Sequence, residues 1–397
     1  MMLGFTAGGR YGRHMPGAGD IDTSFGGNGK KTITFGGVDA AEAVLVQPDG
    51  RIVVAGGGGA AASTFCVARL RPDGKLDTTF GPVGKRRIPF GGDQEAAFGA
   101  ALQPDGKIVL AGDSDFRVAV ARLNTNGTLD TTFSGDGKRT FSWGPISRAQ
   151  AAVVMPNGKL LLAGFSGPET GNVQVARLRA NGALDGTFGV AGIAKVDFGG
   201  DDFGLAMARQ ANGRIVVVGR SLPTFPQDET LGAIVTRVRS NGELDPDFAG
   251  TGKITLPGTS NARAVLVQPD RRIVVAGTAD GSQKMTVTRL RPNGALDPTF
   301  DGDGTATIDF AAVLVTGAAL QPDGKIVVSG SSAGRFAVAR LNPDGSPDAT
   351  FATTGKATVD FGVPTFAHAV ARQPNGRIVI AGQRTVSDDF ALARLLA

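Results

Sequence analysis

Apolar residues along this chain fall in short runs punctuated by turn residues, and the runs come in a fixed order. The first carries small residues, AEAVLVQ (Ala41–Gln47), and closes on Pro-Asp-Gly, where Pro fixes φ and Gly accepts a positive one. The second, RIVVAG from Arg51, is β-branched throughout, which suits a strand buried on both faces. TFCVARL from Thr64 is the third, and KRRIPF, ending at Phe90, is the fourth, after a link reading RPDGKLDTTFGPVG. Short Asp-Gly and Asn-Gly turns predict that these strands meet as antiparallel hairpins.

The same four-strand phrase is written seven times. Its turn glycine stands at Gly50, Gly106, Gly158, Gly213, Gly324 and Gly376, with Arg271 in the equivalent place, so the period is about 54 residues. That length exceeds a leucine-rich coil and fits a four-stranded propeller blade. The chain ends on a third strand, ALARLLA, and its beginning, GDIDTSFGGNGKKTITF, matches a link and a fourth strand. The expected fold is therefore all-β: a seven-bladed propeller of four-stranded antiparallel blades, its ring closed by the N-terminal strand completing the last blade. Residues 1–18 are expected as a flexible segment and 19–397 as one domain.

Arg69, Arg122, Arg177, Arg237, Arg289, Arg340 and Arg394 end the third strands, and Asp77, Asp130, Asp185, Asp245, Asp297 and Asp348 follow the first six eight residues later, with Asp22 as the seventh partner. A device repeated identically in every copy belongs to a frame, so these are expected to be buried, bidentate ion pairs. A matching set of phenylalanines, Phe25, Phe80, Phe133, Phe188, Phe248, Phe300 and Phe351, is expected to pack beside them.

The phrases QPDGKIVVAG and VARLxPDGxLDxxFGxxGK, recurring from Gly19 to Leu395, resemble the delta-60 repeat β-propeller family. Met155 in place of the repeated Gln, Arg271 in place of the turn Gly and SPD at Ser346 depart from the pattern. The resemblance implies a propeller of bacterial origin and an extracellular or cell-surface setting, and it carries over no catalytic residue.

Composition narrows the picture. With 60 Gly and 21 Pro the chain is turn-rich, without the three-residue period of a collagen. A single cysteine, Cys66, excludes an internal disulfide framework. No apolar stretch is long enough for a membrane span, and no signal peptide is visible. The net charge is +5, yet most arginines sit at repeated frame positions and there is one Trp and one Tyr, so no nucleic-acid partner is expected.

Function is sought where the copies disagree. Five residues before the repeated Gln stand Glu42, Phe98, Gln150, Leu205, Arg263, Thr316 and His368, each followed by Ala or Gly. If the small-residue strand is innermost, this set rings the channel mouth, with Arg148 and Asn261, two residues earlier, widening it. His368 is then a candidate general base, with Glu42 beside it and Arg263 as an anion partner. The loops on one rim form a second variable zone, rich in acids such as Asp39, Asp93, Glu95, Asp113, Asp115, Glu169, Asp201, Asp202, Asp228 and Glu229. The long loop at Ser221–Leu231 is the one insertion large enough to serve as a lid or contact arm. SGDGK at Ser134 and FDGDG at Phe300 lack the acidic ligands that would complete a calcium loop. No phosphate loop, zinc-helix motif or nucleophile elbow is present.

These features read as a non-enzymatic, monomeric scaffold presenting its acidic rim to a protein or glycan partner, without a cofactor or metal. The alternatives are a hydrolase or lyase working at the channel mouth through His368, Glu42 and Arg263, and an adhesive domain assisted by Ca²⁺.

Overall fold

The computed structural model describes residues 16–60, 62–167, 171–223, 232–281, 284–310 and 313–397. The Phe225 loop beyond Pro223, and with it Asp228 and Glu229, lies outside these residues, as do Glu169 and positions 1–15.

Twenty-eight strands form seven four-stranded antiparallel sheets, and apart from a 3-10 turn at Pro82–Gly84 the described chain has no helix. Blade 1 runs from its inner strand Ala40–Val46 through Ile52–Gly58 and Thr64–Leu70 to the outer strand Lys85–Ile88. The inner strands of blades 2 to 7 are Glu95–Leu102, Ser147–Val154, Asp201–Arg209, Thr259–Val267, Val313–Leu320 and Thr365–Arg372. Each inner strand touches those of both neighbouring blades, so the small-residue strands surround the axis. Blade 7 takes its outer strand from the N-terminal side: Lys30–Ile33 pairs with Phe390–Ala393. Ahead of that strand, the Ala18 carbonyl already accepts from the Ala352 backbone amide and Gly19 donates to Leu396, so the ordered ring begins before residue 19.

The second strands are buried along nearly their whole length, as their β-branched runs require. Hydrophobic contacts gather into seven clusters, each shared between two adjacent blades. The core therefore lies between blades, and no blade can bury its apolar faces alone.

The seven arginine–aspartate pairs are frame, with one correction to the expected geometry. In each, Nε meets a single carboxylate oxygen: Arg69 to Asp77 at 2.8 Å, Arg122 to Asp130 at 2.7 Å, Arg394 to Asp22 at 2.8 Å. A bidentate fork does not form because the other oxygen accepts from the backbone and side chain of the residue two positions on, such as Thr79 and Thr132. The guanidinium is thereby freed to reach the next blade, where Arg69 donates to the Thr125 carbonyl and Arg122 to that of Ala180. It also lies over the repeated phenylalanine, 4.7 Å from the Phe80 ring centre for Arg69. One residue thus joins a strand, its link and the neighbouring blade.

Candidate functional site

In all seven blades the register between the first and second strands slips by one residue, and the skipped residues are Glu42, Phe98, Gln150, Leu205, Arg263, Thr316 and His368. Each variable residue is thus the extra residue of a β-bulge, the device that re-aims a side chain out of the pleat. The repeated glycine of the second strand permits it. The bulge drives a carbonyl against that strand, so a Cβ on Gly56 would stand 1.8 Å from the Ala40 oxygen, and one on Gly219 1.7 Å from that of Phe203. The small residue after each bulge has a similar cause: a Cβ on Gly99 would meet Ala151 of the next blade at 3.0 Å.

All seven bulge residues line one cavity at the axis, about 270 Å3 in volume. His368 and Glu42, from adjacent blades 7 and 1, meet with Nδ1 2.7 Å from Oε2. A carboxylate accepts, so this contact is made with the Nδ1 hydrogen, and in the neutral ring that tautomer puts the lone pair on Nε2. Arg263 enters from blade 5. Among the described residues it has no carboxylate within ion-pair distance, and its Nε is buried without a hydrogen-bond partner. Burial lowers its affinity for the proton and the Arg220 charge adds to this, while Glu42 across the cavity opposes it. Arg220, on blade 4, acts on Arg263 electrostatically but does not itself line the cavity; its guanidinium lies 5.0 Å from the Phe203 ring centre, and among the described residues it has no carboxylate within ion-pair distance.

Arg148 and Asn261 do not line the cavity. Arg148 turns to blade 2, where its Nε meets Asp113 at 3.1 Å and its guanidinium covers Phe98 at 4.8 Å. Burial raises the Asp113 pKa, and Arg148 offsets part of that rise. Asn261 is buried. Sequence reading missed Arg220, which stands where the other second strands carry Gly57, Asp113, Phe165, Thr278, Ser331 or Gln383. That variation was its available signal.

The acidic rim is less exposed than its sequence implies. Asp39, Glu95, Asp113 and Asp202 are buried. Glu95 accepts from the backbone amides of Phe90 and Gly92, Asp39 from Phe35 and Gly59, and Asp202 from Phe198 and the Ser221 hydroxyl. These carboxylates satisfy backbone groups where the chain passes from one blade to the next. Among the described residues no three His, Cys, Asp or Glu side chains gather as a metal ligand set.

Seven four-stranded antiparallel blades around a central cavity make the molecule a seven-bladed β-propeller. More narrowly, the chain belongs to the family described as Domain of unknown function (DUF5122) beta-propeller, whose model matches residues 47–80, 103–133, 156–188, 210–248, 268–300, 321–351 and 373–397. Every matched segment covers frame, and none contains a bulge residue of the ring. No curated protein matches the sequence. Among solved structures, virginiamycin B lyase from Staphylococcus aureus is similar at 9% identity over 93% of this chain and 98% of its own, with a TM-score of 0.57. The WD40 repeats of RRP9 match at 12% identity over 95% and 100%, TM-score 0.54. YCF48 bound to D1 peptide matches at 11% over 93% and 96%, TM-score 0.52. At such identities the likeness is one of fold. No helix among the described residues is long and apolar enough to cross a membrane.

Proposed function

We propose that this protein is a binding propeller whose site is the channel mouth and whose ligand is a small polar molecule, or chain end, bearing a carboxylate or comparable anion. The observation that carries this is Arg263: a half-buried guanidinium without a carboxylate partner among the described residues, facing a shared cavity, in a protein whose repeated arginines are all paired. An anion between Arg263 and Arg220 would relieve their mutual repulsion and supply the missing acceptor. Glu42 and His368 then present an acceptor and an imidazole to the rest of the ligand, and Phe98 and Leu205 supply apolar wall.

Calorimetry with a panel of small carboxylic acids and their neutral amides tests this. The acids should bind more tightly than the amides, and Arg263→Gln should weaken them by about tenfold or more, in line with roughly 1.5–3 kcal/mol for a hydrogen bond to a charged group. Equal binding of acid and amide, or an Arg263→Gln protein equal to wild type, would remove the reading.

The 2.7 Å contact between His368 and Glu42 supports a second reading, in which the pair acts on the bound molecule. Glu42 fixes the ring tautomer and Nε2 serves as general base toward an acidic C–H or O–H beside the anion. The lyase among the structural neighbours offers a precedent in fold alone. Catalysis predicts that His368→Ala abolishes turnover while acid binding persists; binding alone predicts no turnover in either protein. A protein or glycan partner on the rim is a further proposal, for which YCF48 bound to D1 peptide is again precedent in fold alone. We also infer that the delta-60 resemblance and the matched family describe one repeat, since both rest on the segment from the Pro-Asp-Gly turn to Leu-Asp-x-x-Phe.

A further inference from the structure

We propose that the outer strands of blades 7, 1 and 2 form a binding arc for an anionic polysaccharide, separate from the channel. These strands read KKTI, KRRI and KRTF and bring seven cations onto three adjacent outer edges: Lys30, Lys31, Lys85, Arg86, Arg87, Lys138 and Arg139. Seven exceeds the whole formal excess of +5 for the chain. The other four outer strands, IAKV, KITL, TATI and KATV, carry only Lys195, Lys253 and Lys356 among them.

The asymmetry is sharpest at the second position. Lys31, Arg86 and Arg139 stand where blades 3 to 6 carry Ala194, Ile254, Ala306 and Ala357. Folding does not ask for charge there, since Ala194 and Ala306 are buried in the apolar contacts between blades. In Arg86 and Arg139 the Nε is buried without a partner, so their stems lie along the protein while the charged ends must find partners outside it. Among the described residues no carboxylate stands within ion-pair distance of any of the seven. Asp360, beside Lys30, gives that lysine its backbone carbonyl and pairs its carboxylate with Arg335 at 2.9 Å.

The arc follows the outside of the ring, and an open hollow lined by Thr34, Phe35, Pro82, Val83, Lys85, Arg86 and Arg87 lies along it at blade 1. Its three strands hold one aromatic residue, the buried Phe141, and of the rings that follow them Phe35 and Phe90 lie under Lys85 and Lys138 while Trp143 packs edge-on to Phe141, so no row of open rings is presented for stacking bases. No helix or ribbon stands out from it to enter a duplex groove. A linear polymer recognised by repeated sulfates or carboxylates fits, and guanidinium groups suit both.

The test uses a fluorescent heparin octasaccharide as the probe and compares three proteins across a salt series. Wild type should bind with a steep salt dependence. The variant Lys31→Ser, Arg86→Ser, Arg87→Ser, Arg139→Ser should bind at least about tenfold more weakly with a shallower slope. The variant Arg71→Ser, Lys75→Ser, Arg117→Ser, Lys195→Ser, which removes the same charge elsewhere, should stay within about twofold of wild type. Melting curves check that both variants fold; should the arc variant fail, Lys31→Ser with Arg139→Ser, neither of which donates to a neighbouring blade among the described residues, replaces it with a proportionately smaller loss. No binding by wild type, equal losses in the two variants, or tighter binding of duplex DNA of equal charge would overturn the proposal.

Discussion

A methyl group on Gly56 would stand 1.8 Å from the Ala40 carbonyl oxygen, so this glycine and the bulge opposite it exist together. Gly56→Ala should cost about 1–3 kcal/mol, the range for overpacking, measured by urea unfolding. Gly186→Ala, where a Cβ meets nothing within 4 Å, should be near neutral. The same Gly56→Ala change should also turn Glu42 away from His368. At this scale the ring could be read from the sequence, because seven unlike residues stand at one position of an otherwise uniform repeat. Its internal pairing could not: that His368 meets Glu42 depends on the ring closing blade 7 against blade 1, and that Arg148 leaves the ring for Asp113 depends on burial of that carboxylate.

Neighbouring blades are held by a contact that the sequence displays but that only the structure explains. Lys85 donates to the Thr34 carbonyl and lies 5.4 Å from the Phe35 ring centre; Lys138 does the same with Pro89 and Phe90, and Lys253 with Asp197 and Phe198. Lys356 and Lys30 repeat it on Phe310 and Phe361. Where the earlier blade has Trp143 or Gly258 in place of Phe, the later one has Ile193 or Thr305 in place of Lys. This matched change, about one period apart, was available in the sequence, but nothing local links a lysine to an aromatic in another blade. A double-mutant cycle of Lys138→Met with Phe90→Leu should give a coupling of about 0.5–1 kcal/mol, and a coupling near zero would reduce the contact to coincidence. The strand pattern itself was legible because each strand has its own composition: small at the axis, β-branched in the middle, mixed at the edge.

At the scale of the ring, the seven frame aspartates set the response to acid. Burial pushes the Asp130 carboxyl up, but hydrogen bonds from Thr132 and Lys107 and the Arg122 charge outweigh it and bring its pKa down to about 2. Asp22, Asp77, Asp185, Asp245, Asp297 and Asp348 also lie below the usual carboxylate value of 3.8. A carboxyl whose folded pKa is depressed stabilises the fold above its unfolded pKa and loses that contribution as pH falls through the folded value. Asp39, Asp113 and Asp202, raised by burial, act in the opposite sense and favour the fold when protonated. With Asp49, Asp270, Asp344 and Asp360 also lowered and Asp301 also raised, eleven carboxyls against four predict a melting temperature that drops between about pH 4 and pH 2, and Asp130→Asn should be less stable at pH 7 and show a shallower drop. Seven blades and ring closure were countable from the repeat, whereas the channel chemistry was not, because a family pattern made of frame residues says nothing about the positions between them. The most direct test of an anion site on the axis is a crystal of the protein soaked in bromide and measured for anomalous scattering. A bromide inside the ring, against the Arg263 guanidinium and absent from Arg263→Gln crystals, is the predicted result; bromide found only outside the channel would contradict it.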